Sequence, residues 1–285
     1  MSTQADIEVS YDVGNEFFAL WLDEQRNYSC ALWQGADDDL ESAQRRKLAH
    51  LSDLAGTGPE TRVLDIGCGW GANMRFQVEQ RRVRRIHGIT LSPAQLRFTL
   101  SQELPGATAE LRDYRDYQPT EPFDALISIG MLEHVVRPDQ VWSGEHLDIY
   151  ADFFRRAHAW SRSGTRFGLQ VILRDRIPRD HDDLTRLQWV TNSIFPGGMS
   201  PRLEDIYATA EPYWEIVSLR TRRDHYRRTC AEWLRRLRGH EDTIRQRWGD
   251  RLYLDYEQYL SICVLAFERR YQSLAQFCLR RRDLP

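Results

Sequence analysis

The stretch that most constrains the fold runs from Arg62 to Gly71 and reads RVLDIGCGWG. A short apolar, β-branched run ends around Asp65, and glycines then occupy positions 67, 69 and 71. This pattern predicts a buried strand that runs directly into a glycine-lined turn and a helix. Glycine has no Cβ, so such a turn permits positive φ and lets a nucleoside approach the backbone closely. The stretch therefore indicates a nucleotide-like cofactor.

The spacing of the glycines narrows the choice of cofactor. Dinucleotide enzymes use G-x-G-x-x-G, in which the third glycine follows the second by three residues. Alternating glycines at 67, 69 and 71 suit a cofactor without pyrophosphate. S-adenosylmethionine meets this requirement, because it joins an adenosine to an amino-acid tail and a sulfonium. Asp65 can organise the turn or reach a cationic ligand through water. An ordinary glycine-rich β-to-α turn is the alternative interpretation.

The composition is that of an ordinary soluble globular protein, with 41% apolar and 28% charged residues in a chain of 285. The absence of a long uninterrupted apolar run predicts no transmembrane helix, and the polar N-terminus predicts no signal peptide. Five cysteines are scattered without a C-x-x-C pair. We therefore expect reduced thiols, a cytoplasmic location and no metal site.

Charge is unevenly distributed along the chain. Residues 1–150 carry 14 Lys and Arg against 24 Asp and Glu, whereas residues 151–285 carry 25 against 18. Lys47 is the only lysine, so the basic half consists of arginine. Two interpretations of the arginine-rich half stay open. One is biased base composition of the source genome, and the other is an anion-binding surface near a substrate. No nucleic-acid partner is expected, because the net charge is −3.

Strand and helix patterns alternate through the middle of the chain. The expected strands cover 63–66, 85–90, 109–111, 123–129 and 165–173, and the expected helices cover 72–79, 93–104 and 150–160. Ser92 is the expected N-cap of the second helix. This order predicts an α/β fold with a parallel sheet, helices on both faces and ligands at the carboxyl ends of the strands.

The flanking segments follow other patterns. Residues 10–55 are expected to be helical and amphipathic, followed by a turn at 56–59. Beyond Leu173 we expect a helix around 203–210, a strand at 214–219, a long amphipathic helix through most of 230–267 and a closing edge strand at 273–279. We expect one domain over 1–285, with a helical flap at 1–55, a cofactor-binding core at 56–173 and a helical substrate cover at 174–212 and 222–267.

Several blocks, in order and over about residues 8–270, resemble the cyclopropane fatty acid synthase family of S-adenosylmethionine-dependent methyltransferases, which includes the mycolic acid cyclopropane synthases. The blocks are YDVGNEFF (11–18), YSCA (28–31), VLDIGCGWG (63–71), GITLSPAQ (88–95), SIGMLEHV (128–135), IFPGG (194–198) and HY (225–226). The resemblance implies a Rossmann-like class I methyltransferase fold, with a seven-stranded, mostly parallel sheet, helices on both faces and a helical cover.

The resemblance also implies a set of cofactor-binding residues. These are Tyr28, Ser29, Gly67, Gly69, Thr90, Leu91, Gln95, Asp113 and Tyr114, to which the turn adds Asp65. The family often has Trp where Tyr114 stands. The N-terminal flap, including Tyr11, is implied to close over the cofactor.

In that family an unactivated alkene attacks the sulfonium methyl group, a carbocation develops, and a proton is lost. A dry pocket with π or carbonyl groups stabilises the cation. A bound bicarbonate serves as base, held by residues that match Cys30, Ile129, Glu133, His134 and Tyr226. Glu133 is expected to orient the bicarbonate, Tyr226 to donate to it, and Ile129 and His134 to contribute backbone amides. Cys30 and His134 can also be ordinary structural residues.

This sequence departs from the family pattern at three places that bear on the substrate. Gln170 stands where mycolic acid enzymes tend to have His, the connection at 136–148 is about ten residues longer than usual, and arginines surround HY (225–226). Arg222 and Arg223 are candidate substrate-binding residues among them; a solvated connection is the alternative.

The expected acceptor is an alkene of a lipid or specialised metabolite, such as an acyl chain on a carrier protein or phospholipid. A prenyl diphosphate, an amine and a non-catalytic cofactor-binding protein stay open as alternatives, and the oligomeric state is not predicted.

Overall fold

The computed structural model describes residues 13–283, so Tyr11 and the start of the predicted flap lie outside the described residues. Seven strands form one sheet in the order β3-β2-β1-β4-β5-β7-β6. The strands are β1 Arg62–Ile66, β2 Arg85–Thr90, β3 Ala107–Leu111, β4 Phe123–Ile129, β5 Ser161–Arg174, β6 Trp214–Thr221 and β7 Gln272–Arg281. β7 alone among them runs antiparallel to its neighbours. The predicted fold class is confirmed.

Eleven α-helices occur within the described residues. They are α1 Asn15–Ala19, α2 Leu40–Ala55, α3 Ala72–Glu79, α4 Pro93–Leu100, α5 Pro138–Ser143, α6 His146–Ala159, α7 His181–Ser193, α8 Leu203–Ala210, α9 Arg223–Gly239, α10 Glu241–Trp248 and α11 Asp250–Glu268. None of these helices is both long and apolar enough to cross a membrane.

Apolar side chains on the two faces of the sheet form separate clusters. One cluster joins β4 and β5 to α6 through residues such as Phe153 and Phe167. On the opposite face, a smaller cluster packs β1 and β4 against α3. A third, rich in aromatic residues, joins α1, α2, α9 and α11. The helices of this third cluster bring Tyr28 and Tyr226 into one core, although 198 residues separate them in the chain.

The last strand corrects a prediction. It was expected at the edge of the sheet, but β7 lies between β5 and β6, with Gln276 opposite Gln170 on one side and Arg220 on the other. Residues 273–279 are all buried, as expected for an inner strand covered on both faces. The edge position belongs to β6, whose residues from 217 onward are exposed.

Three helical predictions were also too long. Residues 20–39 are not helical, because side chains such as Asp23 accept hydrogen bonds from the local backbone, including Asn27 N at 2.7 Å. The helix from Pro93 ends at Leu100, since Glu103 adopts a φ of 47° and a proline follows at 105. The segment 230–267 is divided into three helices, with Gly249 at a φ of 90° between the last two.

The insert at 136–148 forms α5 and the start of α6, and α7 is a helix that the sequence analysis did not predict. Asp180 caps α7 by accepting from Asp183 N at 3.0 Å. The Asp183 carboxylate is itself fully buried and accepts from Tyr271 Oη at 2.7 Å and from Arg269. These bonds fasten α7 to the connection between α11 and β7.

Candidate active site

A cleft lies at the carboxyl ends of β1, β2 and β4, where a parallel sheet is expected to bind ligands. Nine of the ten predicted cofactor-binding residues line it: Tyr28, Ser29, Asp65, Gly67, Gly69, Thr90, Leu91, Gln95 and Tyr114. The tenth, Asp113, does not line the cleft; its carboxylate pairs with Arg115 at 2.7 Å. Ile129 and His134 line the same cleft, whereas Cys30, Glu133 and Tyr226 are buried beyond its wall.

The glycine turn has the geometry that its sequence predicts. Gly67 has a φ of 85°, and its N–H donates to Ile89 O at 3.0 Å. A Cβ on Gly67 would lie 2.8 Å from Cβ of Met131, closer than side chains approach one another. The turn is therefore restricted to glycine at this position by backbone conformation and by space.

The next wall of the cleft is the loop between β2 and α4. Ser92 caps α4 by accepting from Gln95 N at 3.2 Å, as predicted. The Thr90 hydroxyl donates to Gln95 Oε1 at 3.1 Å and accepts from Ser92 N at 3.2 Å. These bonds hold Thr90 and Gln95 in place along the cleft.

Asp65 is buried at the end of β1, with 1% of its surface exposed. Its Oδ2 has no hydrogen-bond partner among residues 13–283. Burial raises the pKa of this carboxyl to about 7, against the smaller opposing effects of Asn73 and Lys47. A buried carboxylate oxygen without a hydrogen-bond partner is suited to bind a cationic group of a ligand.

Glu133 sits on a short 3₁₀ helix directly after β4 and is also buried. Its Oε1 accepts from Ile172 N at 2.6 Å, which continues the β4–β5 ladder beyond the end of β4. Its Oε2 is buried without a partner in the described part of the chain. Burial raises the pKa of Glu133 to about 7. A carboxylate held by one oxygen presents the other for chemistry.

His134 follows Glu133 and faces the IFPGG segment. Its ring centroid lies 5.9 Å from that of Phe195, and a Cβ on Gly198 would lie 3.2 Å from Glu133 O. Burial lowers the pKa of His134 to about 4, so the imidazole is neutral at pH 7.

Cys30 and Tyr226 complete the group of predicted catalytic residues. Burial raises the pKa of both side chains, and neighbouring ionisable groups, Cys230 first and then Cys30 and Glu133, raise the pKa of Tyr226 further. The Tyr226 ring stacks on Phe267 at 4.6 Å between centroids.

Gln170 is 1% exposed and does not line the cleft. Its Oε1 accepts from Gln276 Nε2 at 2.8 Å, and Gln276 Oε1 accepts from Arg222 Nε at 3.2 Å. Nε2 of Gln170 is buried without a partner within the range the structure covers. Arg222 thus orients Gln276, which orients Gln170.

Two other arginines near Tyr226 bind groups within the protein. Arg223 donates to Phe267 O at 2.7 Å and pairs with Asp224 at 2.7 Å. Arg228 donates to Ala36 O at 2.7 Å and lies 4.1 Å from the ring centre of Trp33. Neither lines the cleft.

Aromatic rings pack around the side chain of Tyr28. The Tyr28 ring lies 5.2 Å from Trp21, 5.4 Å from Trp233 and 6.1 Å from Phe195. Its hydroxyl donates to Tyr259 Oη at 3.1 Å. The sequence analysis expected π groups near a cation but did not name these rings, because they come from the turn after α1, from α9 and α11, and from the IFPGG segment.

Over residues 13–283, no three His, Cys, Asp or Glu side chains are grouped to hold a metal ion. A family model described as mycolic acid cyclopropane synthetase matches residues 1–277.

The chain belongs to this family.

Among relatives, cyclopropane mycolic acid synthase MmaA2 of Mycobacterium tuberculosis is 30% identical over 97% of this chain and 96% of its own. Its solved structure has a TM-score of 0.90 with 28% identity and covers 98% of both chains. The S-adenosylmethionine-dependent methyltransferase UmaA of the same organism is 29% identical over 95% of both. Cyclopropane-fatty-acyl-phospholipid synthase of Escherichia coli is 31% identical over 95% of this chain and 66% of the enzyme. The chain is an S-adenosylmethionine-dependent methyltransferase.

The residues of the cleft fit S-adenosylmethionine. Nothing lies within 4 Å of a Cβ placed on Gly69, so the turn leaves room for a nucleoside there. The Asp65 oxygen without a partner among the described residues suits a cationic group. When bound, this cofactor supplies an electrophilic methyl group on a sulfonium.

Sequence reasoning missed several residues of the cleft, chiefly Asn27, Lys47, Asn73 and Met131. The one available signal concerned Lys47, the only lysine of the chain. It lies on the buried side of the amphipathic helix α2, where a charged residue is unusual.

We predict that Gly67→Ala weakens binding of S-adenosylhomocysteine about tenfold, because a side chain at positive φ costs roughly 1–2 kcal/mol and would contact Met131. Isothermal titration calorimetry measures this. Gly58→Ala is the control, since nothing lies within 4 Å of a Cβ there. Equal affinity for the two variants contradicts the prediction.

Proposed function

We propose that this enzyme transfers a methyl or methylene group to an alkene carbon of a lipid or acyl substrate, through a carbocation and with bicarbonate as the base. The observation that carries the proposal is the Glu133 carboxylate, buried at the end of β4 with one oxygen fixed by Ile172 N and the other unpartnered. A buried carboxylate beside aromatic rings also suits an amine acceptor, so the assay below includes amines.

The surroundings of Glu133 supply the polar contacts of an oxyanion. Oε2 of Glu133 is a free acceptor, and Nε2 of Gln170 is a free donor. The two residues are neighbours on the sheet, because Glu133 binds Ile172 N and Gln170 lies two positions earlier on the same strand. Bicarbonate has one donor and two acceptor oxygens, so it matches one free acceptor and one free donor. Tyr226 adds a second donor from α9.

The proposed reaction also requires that a carbocation be stabilised, and the aromatic residues around Tyr28 bear on this requirement. Faces of Trp and Tyr rings attract a cation within about 6 Å. Tyr28 lines the cleft, and Trp21, Trp233 and Phe195 pack around its ring. The Tyr28 ring is the one of these four that can face a developing cation in the cleft.

The names of the relatives support the substrate class. The Escherichia coli relative is named for fatty acyl phospholipids, and MmaA2 of Mycobacterium tuberculosis is named for mycolic acid. Both names describe long acyl chains. Three of the arginines near Tyr226 give no support to a prenyl diphosphate, since Arg222, Arg223 and Arg228 each bind protein oxygens.

Incubation with methyl-labelled S-adenosylmethionine tests the proposal. Unsaturated phospholipids, unsaturated acyl carrier proteins, prenyl diphosphates and amines serve as parallel acceptors, and mass spectrometry finds the product. A gain of one methylene on an acyl chain, placed by NMR as a cyclopropane or a methylated alkene, supports the proposal. Transfer confined to an amine or to a prenyl diphosphate overturns it.

We predict that Tyr226→Phe lowers turnover about 10²-fold, since loss of one donor to a reacting oxyanion has that effect in other enzymes. Binding of S-adenosylhomocysteine is expected to be unchanged, because Tyr226 does not line the cofactor cleft. Steady-state kinetics and calorimetry measure the two quantities. Tyr207→Phe is the matched control, as that side chain is 59% exposed. Unchanged turnover of Tyr226→Phe excludes a role for the hydroxyl.

A further inference from the structure

Lys47 is a buried cation without an ion-pair partner among the described residues. It is 1% exposed, and no other Lys or Arg among the described residues is as buried. Its Nζ donates to Asn27 Oδ1 at 2.8 Å and to Ser29 Oγ at 3.1 Å, and no carboxylate oxygen of the described residues lies within 4.0 Å. One N–H of the ammonium group stays unused within that range.

Two neutral oxygens do not offset the loss of hydration of a buried ammonium. Burial lowers the pKa of Lys47 to about 8, and Asp23, Cys30 and Asp65 oppose this only from a distance. Asp23 is occupied by Asn27, which donates to it from N at 2.7 Å and from Nδ2 at 2.8 Å. The site around Lys47 therefore lacks an anion that a ligand can provide.

Asp65 provides the complementary observation. It lines the same cleft, is equally buried, and its Oδ2 has no partner among the described residues. Within the described residues, the cleft thus contains a fully buried ammonium without a carboxylate partner and an under-bonded carboxylate. A ligand that carries both charges, such as an α-amino acid, satisfies both.

The sheet order places these two groups apart from the nucleoside side of the cleft. Leu91 and Tyr114 follow β2 and β3, which lie on one side of β1. Lys47 belongs to α2, which packs on β4 and β5 on the other side of β1. The cleft accordingly runs from a nucleoside end to a charged end.

We infer that Lys47 binds the carboxylate of the amino-acid tail of S-adenosylmethionine, with Asp65 facing the tail ammonium. This inference rests on the cofactor of the proposed function, and not on its methyl acceptor or base. Lys47 also connects that tail to Ser29 and Asn27, so the tail helps to hold the Tyr28–Ser29 segment over the cleft.

Calorimetric binding of two ligands tests the inference. S-adenosylhomocysteine carries the tail, whereas 5′-methylthioadenosine keeps the nucleoside and thioether but lacks it. Lys47→Met, which preserves length and apolar volume, is expected to weaken S-adenosylhomocysteine about 10- to 100-fold and methylthioadenosine less than threefold. Wild-type protein is expected to show a comparable loss with S-adenosylhomocysteine that lacks the tail carboxylate.

Arg26→Met is the control, because Arg26 also lines the cleft but lies over Phe98, with its guanidinium carbon 4.0 Å from the ring centre. Equal weakening of both ligands by Lys47→Met would show a purely structural role, and loss confined to Arg26→Met would assign the carboxylate to Arg26. Either result overturns the inference. The analogue lacking the carboxylate needs no variant, so unchanged affinity for it overturns the inference even where Lys47→Met does not fold. No acceptor is present, so failure here and failure of the proposed C-methylation are separate outcomes.

Discussion

Replacing Glu133 with glutamine is expected to lower the rate of methyl transfer by about 10²- to 10⁴-fold, the usual contribution of a group that handles a proton. Glutamine has nearly the same shape, and its Oε1 can still accept from Ile172 N, which Glu133 binds at 2.6 Å. The second oxygen is replaced by an NH₂ donor, which cannot accept a hydrogen bond from bicarbonate. Single-turnover measurements with labelled S-adenosylmethionine report the rate.

Two controls separate chemistry from structure in this variant. Binding of S-adenosylhomocysteine is expected to stay within about twofold, because Glu133 lies behind the lining of the cofactor cleft. Glu60→Gln makes the same chemical change at an exposed site, where the side chain is 81% accessible. If Glu133→Gln retains wild-type turnover, the assignment of the active site to this carboxylate is wrong.

The same substitution is expected to stabilise the protein at neutral and higher pH. Burial raises the pKa of Glu133 from 4.5 to about 7, so the folded state binds more protons than the unfolded state between these values. Wild-type stability therefore falls as the pH rises through this window, whereas glutamine does not titrate. We expect the advantage of Glu133→Gln in free energy of unfolding to grow by about 2–3 kcal/mol between pH 5 and pH 8.

Urea denaturation followed by tryptophan fluorescence at several pH values measures this difference. Glu60→Gln is expected to show no such trend, since Glu60 is exposed. Stability differences for Glu133→Gln that stay constant with pH would mean that Glu133 has an ordinary pKa in the folded protein. A stabilised and inactive variant is the outcome expected where a buried charge is retained for function.

Local sequence was sufficient to predict those elements whose structure depends on neighbouring residues. The apolar run before Asp65 formed β1, and the glycines after it adopted the positive φ values that only their missing side chains allow comfortably. Ser92 capped α4, since a hydroxyl at that position accepts from the backbone three residues later. Of the predicted cofactor-binding residues, eight that the family resemblance implied line one cleft, together with Asp65 from the turn.

Tertiary structure decided what depends on distant partners. The place of β7 inside the sheet follows from pairing with β5 and β6, which no local pattern encodes. The arginines near Tyr226 resembled an anion site in sequence, but Arg223 and Arg228 bind backbone oxygens of distant segments. Lys47 gave only the signal of being a single lysine.

The sequence by itself determined the class of fold, the cofactor turn and the family, because each depends on short-range patterns of side-chain size and conformation. Only the tertiary structure decided which polar atoms are left without partners. Oε2 of Glu133, Nε2 of Gln170, Oδ2 of Asp65 and one N–H of Lys47 are in this state within the described residues. Burial and hydrogen bonding are properties of the packed chain, and they make these atoms available to a ligand.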